Sequence, residues 1–191
     1  MTVFRTHTPA RRPITVKVSH YRDHRDDLKI DYQNRCGYCN DIDVWRVVWF
    51  EIDHLVPQKH LVTIKDTDYS NLVYSCRSCN NAKRAHWPSA DEKIHNLNDE
   101  GFIDPCDDEY NNQFGRLANG RILANTKLGV WMYNKMKFYK PQHEIIWNIE
   151  QLDLLIDECE DLLKTMPNDL LKDRLLSLHS EYRKYTKQLG A

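Results

Sequence analysis

Two apolar stripes at helical spacing close the chain. Ile145, Ile149, Leu152, Ile156, Cys159 and Leu163 follow alternating steps of four and three, and so do Leu171, Leu175, Leu178, Tyr182, Tyr185 and Leu189. Such stripes predict two amphipathic helices forming a hairpin over 142–191, turned at Pro167-Asn168-Asp169 with Asn168 or Asp169 as cap. Upstream, Leu128, Trp131, Met132 and Met136 predict a helix from Thr126. The run Arg116 to Leu123 sets Asn119-Gly120 between apolar residues, which predicts a β-hairpin. Asp91 to Asn98 is polar and suggests a short helix, and residues 101–106 a turn with an apolar anchor. Residues 46–52, rich in β-branched and aromatic side chains, predict a strand that ends at Asp53-His54; Pro57 stops any continuation. Asn71 to Tyr74 predicts a second short strand, and Cys76 begins a helix running to about His86, before Trp87-Pro88. From Ser19, a candidate cap, Tyr21, Leu28 and Tyr32 share a helical face, and Thr2 to Val18 reads as extended and partly mobile. The sum is an α+β chain with a helical tail.

Charge changes this picture only locally. The 191 residues carry a net charge of -1, so bulk charge marks no polyanion binder. Residues 1–35, however, hold eight Lys/Arg against four Asp/Glu, and residues 142–191 six against ten. The basic front suits phosphate contact, with a plain solvated surface as the alternative. The acidic tail argues against phosphate binding there. The acids Asp104, Asp107, Asp108 and Glu109 match no calcium loop and read as a solvated acidic turn. No apolar run is long enough for a membrane span and the N-terminal stretch lacks a signal-peptide core. The expectation is a soluble, cytoplasmic protein.

Cysteine spacing carries the strongest chemistry. Four of the six cysteines form two CxxC pairs, Cys36-Gly37-Tyr38-Cys39 and Cys76-Arg77-Ser78-Cys79, with 36 residues between them. Four thiolates so arranged suit one closed, tetrahedral structural zinc, a reading that also favours a reducing compartment. Gly37 is expected to permit the tight turn of the first pair. Cys159 reads as a small core residue. Between the pairs lie Glu51-Ile52-Asp53-His54 and Asn71-Leu72, and after the second come Asn80 and Lys83. A filled zinc site has no use for an acid and a histidine. Asp53 and His54 therefore serve something else, either a loop salt bridge or cap, or catalysis.

The order CxxC, Asp-His-x-x-Pro, Asn-Leu and CxxCN-x-x-Lys resembles the HNH endonuclease family over residues 36–88. The resemblance implies a zinc-clamped ββα-metal core, treble-clef-like, with flanking helices and the C-terminal helical hairpin. The chain then divides into a basic N-terminal segment (1–35), the nuclease core (36–90), a hairpin-containing extension (91–141) and the helical hairpin (142–191). Asn80 stands where the family often has its last His. By resemblance, Asp53 and Asn80 hold a catalytic Mg²⁺ or Mn²⁺ and His54 is the general base. Asn71 fixes the loop that orients His54. Lys83, with Arg77 and Arg84, neutralises neighbouring phosphates, although solvated charge is an equal reading for the two arginines. His60 and His86 read as surface residues. The family's usual products are a 5′-phosphate and a 3′-hydroxyl. The substrate is DNA or RNA, which a site that reads only phosphate leaves open.

More loosely, CGYC, EIDH, YSNLVYSCRSCNNAK, FIDPCDDEY and the hairpin together resemble the HNH subunits of Septu-type and retron-associated antiphage systems. That likeness implies a defence effector working beside a separate ABC-like ATPase; the C-terminal helices either pack on each other and on the core or offer such a partner a docking surface. No P-loop occurs in this chain, so such an ATPase would act in trans. The competing expectations are a zinc-stabilised nucleic-acid-binding module without catalysis and an assembly subunit that cuts only within a complex.

Overall fold

A computed structural model describes residues 2–44, 50–166 and 168–189. The expected strand residues Arg46 to Trp49, and Pro167 of the inter-helix turn, lie outside them. The chain forms two compact units, one of residues 2–118 and 122–139, the other of 119–121 and the segment from Lys140 onward.

The first unit begins with β1 (Thr2–Val3), followed after a 3-10 turn at Tyr21–His24 by α1 (Arg25–Asp31). The cap of that turn is His20, not Ser19: its side chain accepts from the Arg22 N–H at 3.1 Å, and Asp23 answers to the His20 N–H. The ring nitrogen thus does the work expected of a hydroxyl. Strands β2 (Phe50–His54) and β3 (Leu72–Cys76) pair antiparallel, with His54 opposite Leu72 and Phe50 opposite Cys76. Helix α2 (Arg77–Lys83) follows β3 directly, giving a ββα unit. It stops at Lys83, short of His86, because Arg84 takes φ +52°, outside the helical region.

Residues 91–98 are not helical. Strands β4 (Asn96–Leu97) and β5 (Glu100–Gly101) form a tight hairpin, with Asn98 and Asp99 both at positive φ (53° and 61°). Asn and Asp tolerate that conformation, which a two-residue turn of this hand requires. Helix α3 (Glu109–Asn112) leads to β6 (Phe114–Arg116), which pairs with β7 (Ile122–Ala124) on one side and β1 on the other. Helix α4 (Lys127–Met136) starts at Thr126, whose hydroxyl accepts from the Gly129 N–H at 2.8 Å. Leu28, Tyr38, Leu72, Val73, Tyr74, Phe102, Tyr110, Phe114, Met132 and Met136 are buried in one continuous core.

The N-terminal segment is tied down rather than loose. Arg5 is buried and donates to Asn111 (2.6 Å), the Gly37 carbonyl (3.2 Å) and the Pro105 carbonyl (2.6 Å). Arg11 donates to the Leu72 carbonyl at 2.7 Å and grips Asp104 with one nitrogen at 2.8 and 3.0 Å. Arg12 pairs with Asp31 and Asp27. Much of the basic front is therefore internal fastening, and Asp104 is a partner within it, not part of a solvated acidic turn.

The second unit is the helical hairpin, α5 (Pro141–Thr165) and α6 (Asp169–Leu189). Proline at the first helical position costs nothing, since that N–H has no intrahelical partner. Leu152, Ile156, Cys159 and Leu178 are buried in the seam, with Leu171, Leu175, Tyr182 and Tyr185 against them. At its start the stripe runs through Ile146 and Ile149; Ile145 is only half-buried.

Candidate metal centre and nuclease site

The four cysteines converge. Their sulfurs all lie within 4.8 Å of one another, all four are buried, and Cys39 Sγ stands 3.8 Å from Cys76 Sγ. A tetrahedron of Zn–S bonds of about 2.3 Å has sulfurs about 3.8 Å apart, so the pocket is compatible with a structural zinc. Local backbone bonds shape the first knuckle: the Cys36 N–H donates to the Asp41 carbonyl (2.9 Å) and the Asn40 N–H to the Cys36 carbonyl (2.8 Å). The left-handed residue here is Asn40, at φ 63°. Gly37 serves differently from expectation: a Cβ there would stand 2.6 Å from the Tyr32 ring and 2.9 Å from Val73, so close approach, not backbone angle, demands glycine. The second pair lies across the β3–α2 junction. Burial raises the Cys39 and Cys79 thiols well above their usual range. Against the same burial, hydrogen bonds from Cys39, Cys76 and Cys79 hold Cys36 well below it.

The acid and the histidine stand at the end of β2, one strand away from this clamp. His54 is buried, and its Nε2 lies 2.8 Å from the Asp66 carbonyl. A carbonyl only accepts, so Nε2 carries the proton and Nδ1 keeps the lone pair. The Tyr21 ring meets the imidazole edge-on, centroids 4.7 Å apart. Asn71 braces the chain just past His54: its Oδ1 accepts from the Val56 N–H (2.8 Å), its Nδ2 donates to the Val56 carbonyl (3.0 Å), and its own carbonyl accepts from the Leu55 N–H (2.8 Å).

Asp53 faces inward, its side chain 8 % exposed. Its Oδ2 accepts from the Tyr38 hydroxyl at 2.6 Å and pairs with Lys83 Nζ at 3.1 Å. Burial and then the Asp53 charge push the Tyr38 phenol well up, which keeps it a donor. The phosphate contact expected of Lys83 is not what the structure places there. The side chain is 0 % exposed and donates to the His54 carbonyl at 2.7 Å as well as pairing with Asp53. It fastens α2 to the end of β2 from inside, out of reach of a substrate.

Asn80 gives its hydrogen bond to Glu51 and not to Asp53. Its Nδ2 donates to Glu51 Oε2 at 2.7 Å, and Arg77 Nε lies 3.5 Å from Glu51 Oε1. Glu51, two residues before Asp53 on the same side of the strand, is thus the site residue that sequence reasoning left without a role. It is half-buried and, with Asn80, lines a cleft of about 340 Å³. Arg77 is more than half exposed on this rim. Arg84 is exposed and donates to the Asn81 carbonyl, a helix-end contact away from the cleft's lining. His60 is half-buried; His86 is exposed, with its ring 5.3 Å from that of Trp131.

A two-stranded hairpin leads into a helix, with four cysteines gathered beside it and an acid and an oriented imidazole at the strand end, which is the ββα arrangement expected from the sequence. Residues 36–86 match the family model described as HNH endonuclease, just over a quarter of the chain, so it carries an HNH endonuclease domain. No curated protein and no solved structure matches the chain. An HNH domain supports a nuclease function and contact with nucleic acid in general. Among the described residues no helix is long and apolar enough to cross a membrane.

Proposed function

We propose that the protein is a metal-dependent endonuclease that hydrolyses nucleic-acid phosphodiesters, with His54 as general base. The observation that carries this is the 2.8 Å contact of His54 Nε2 with the Asp66 carbonyl. It fixes the tautomer in which Nδ1 accepts a proton from water. The resulting oxygen attacks phosphorus, the P–O3′ bond breaks, and O3′ is protonated from solvent, giving a 5′-phosphate and a 3′-hydroxyl.

The residues around His54 prepare it. Lys83 holds the His54 carbonyl and Asn71 holds Leu55 and Val56 just past it, which limits the motion of the ring. Tyr21 packs its edge against the imidazole. Glu51, Asp53 and Asn80 offer hard oxygen donors, which suit Mg²⁺ or Mn²⁺. Asp53 and Asn80, joined by Glu51, would hold the ion, and half a turn of the Asn80 amide presents Oδ1 where Nδ2 now meets Glu51. A bound divalent ion would supply charge relief at the leaving oxygen.

The test is cleavage of plasmid, single-stranded DNA and tRNA by wild type and His54→Ala, with Mg²⁺ or Mn²⁺ and with EDTA. Wild type should cut only with the metal, and His54→Ala should lose roughly 10²- to 10⁴-fold in rate with zinc content unchanged. Full-rate cutting by the variant removes His54 as base. No cutting by folded, zinc-loaded wild type favours a binding or assembly subunit. We also propose a role as antiphage effector, with an ABC-like ATPase in trans docked on the α5–α6 hairpin. That finer reading rests on the resemblance of segment order, and its check is whether an ATPase copurifies with the native protein and loses its hold when the hairpin is altered.

A further inference from the structure

The cleft beside Glu51 and Asn80 has a wall that the matched stretch 36–86 does not supply. Tyr21, Arg22 and Arg25, from the 3-10 turn and the start of α1, line it together with Phe50, Ile52 and Asn80. Two features of this wall point to a ligand. One is an aromatic pair at the reacting group: Tyr21 is half-buried, edge-on to His54 at 4.7 Å, with the His20 ring 4.5 Å from its centroid at an interplanar angle of 32° and the Arg22 guanidinium 5.7 Å from that centroid. The other is local charge. Arg25 is held by a bond from Nη1 to the Phe50 carbonyl (2.8 Å) and lies 5.8 Å from the Tyr74 ring. Arg22 and Arg25 line the cleft together with Glu51, and the exposed Arg77 lies 3.5 Å from that carboxylate; Asp23 is engaged in the cap of its own turn, and Asp43 is taken up by the Tyr74 hydroxyl, near which Asp26 also acts. A chain of net charge -1 thus concentrates cations at this opening.

An aromatic face beside a cationic groove is how proteins hold unpaired strands, because every base has a π-face and every linkage a charge. The size agrees. At about 340 Å³ the cleft lies at the small end of ligand sites, roughly 300–1,000 Å³. That admits an unpaired nucleotide, whereas a base-paired one would stay at the rim.

We propose that Tyr21, Arg22 and Arg25 form the seat for an unpaired nucleotide next to the scissile phosphate, so that the substrate is single-stranded, or locally unpaired, nucleic acid. The proposal rests on the nuclease reading for the place of the scissile phosphate, but its binding claim is separable. Tyr21 offers its ring to the base, and Arg22 and Arg25 face the flanking phosphates.

The experiment is fluorescence anisotropy of the zinc-loaded full chain with labelled single-stranded DNA, single-stranded RNA and a duplex of the same sequence, without added Mg²⁺ or Mn²⁺. At least one single strand should bind about tenfold more tightly than the duplex. Tyr21→Ala should weaken single-strand binding roughly 5- to 100-fold and leave duplex binding unchanged, and Tyr21→Phe should retain it. Arg22→Ala should lower the salt slope for the single strand by about 0.7. Zinc content and the melting curve verify that each variant is folded. Duplex binding equal to or tighter than both single strands overturns the proposal. So does single-strand affinity within twofold of wild type in folded Tyr21→Ala, including the case where only cleavage falls, which would make Tyr21 a positioning residue for His54. Strand-selective binding by a protein that never cuts would leave the seat standing and remove the nuclease reading instead.

Discussion

Replacing Lys83 by methionine separates the buried-clamp role from the phosphate contact that its place after the second CxxC suggests. The side chain is fully buried, its ammonium 3.1 Å from Asp53 Oδ2 and 2.7 Å from the His54 carbonyl. Methionine fills similar space but leaves a buried carboxylate with Tyr38 as its remaining described donor and strips the carbonyl of this bond. Removing one partner of a buried pair costs about 3–5 kcal/mol. The orphaned carbonyl acts within the same network, so its cost overlaps with that figure and is not added to it. Against a typical total stability of roughly 5–15 kcal/mol this is a large fraction, equivalent to a fall in melting temperature of roughly 6–20 °C. The assay is urea and thermal unfolding of zinc-loaded protein, followed by near-UV signal from the aromatic core. Adding Asp53→Asn, which keeps an acceptor for the Tyr38 hydroxyl and removes the stranded charge, should recover at least about 1 kcal/mol in a double-mutant cycle. If Lys83→Met costs less than about 1 kcal/mol while substrate affinity falls, the ammonium works at the phosphate and the buried clamp is refuted.

Two other outcomes follow from the same geometry. Cys76→Ser should release zinc and abolish cooperative unfolding of the core unit, read by metal analysis and calorimetry; retained stoichiometric zinc with a normal transition would contradict the four-thiolate pocket. Glu92 is buried and accepts from the Thr63 hydroxyl and from the Val62, Thr63 and Ile64 N–H groups, which lower its carboxyl from 4.5 to about 2. Its folded value lies below its unfolded one, so the support it gives the 62–64 loop is complete above about pH 4.5 and fades as pH falls toward 2. Amide exchange at Val62 and Thr63 should quicken over that window, and Glu92→Gln should remove the pH dependence.

Much of the core is legible in the sequence because its signals are local or covalently spaced. The CxxC pairs, the strand end at Asp53-His54 and the two heptad-like stripes all depend on short-range periodicity, which survives any tertiary arrangement. What escapes depends on register and helix phase. Glu51 meets Asn80 only because β2 and β3 pair with Glu51 opposite Ser75, which puts the carboxylate beside the first turn of α2. Lys83 does carry a readable signal: it lies four residues after Cys79 on α2, so the two share one helical face, and Cys79 belongs to the buried four-cysteine cluster. The burial of Arg5 and Arg11 has no such marker, because their partners are 32 to 106 residues away.

The β1–β6 pairing has a consequence for biosynthesis. Thr2 and Val3 lie against Arg116 and Gly115, and Arg5 is bonded to Pro105 and Asn111, so these residues, once synthesised, wait for partners 100 to 114 positions further along the chain. At roughly 5–20 residues per second that wait is about 6–20 s. Within it all four clustered thiols emerge, while the N-terminal strap that crosses the knuckle at the Gly37 carbonyl is not yet fastened. A metal ion taken up by these thiols would therefore have its widest access on the nascent chain, and a segment cut back to residues 36–86 would be missing the strap altogether.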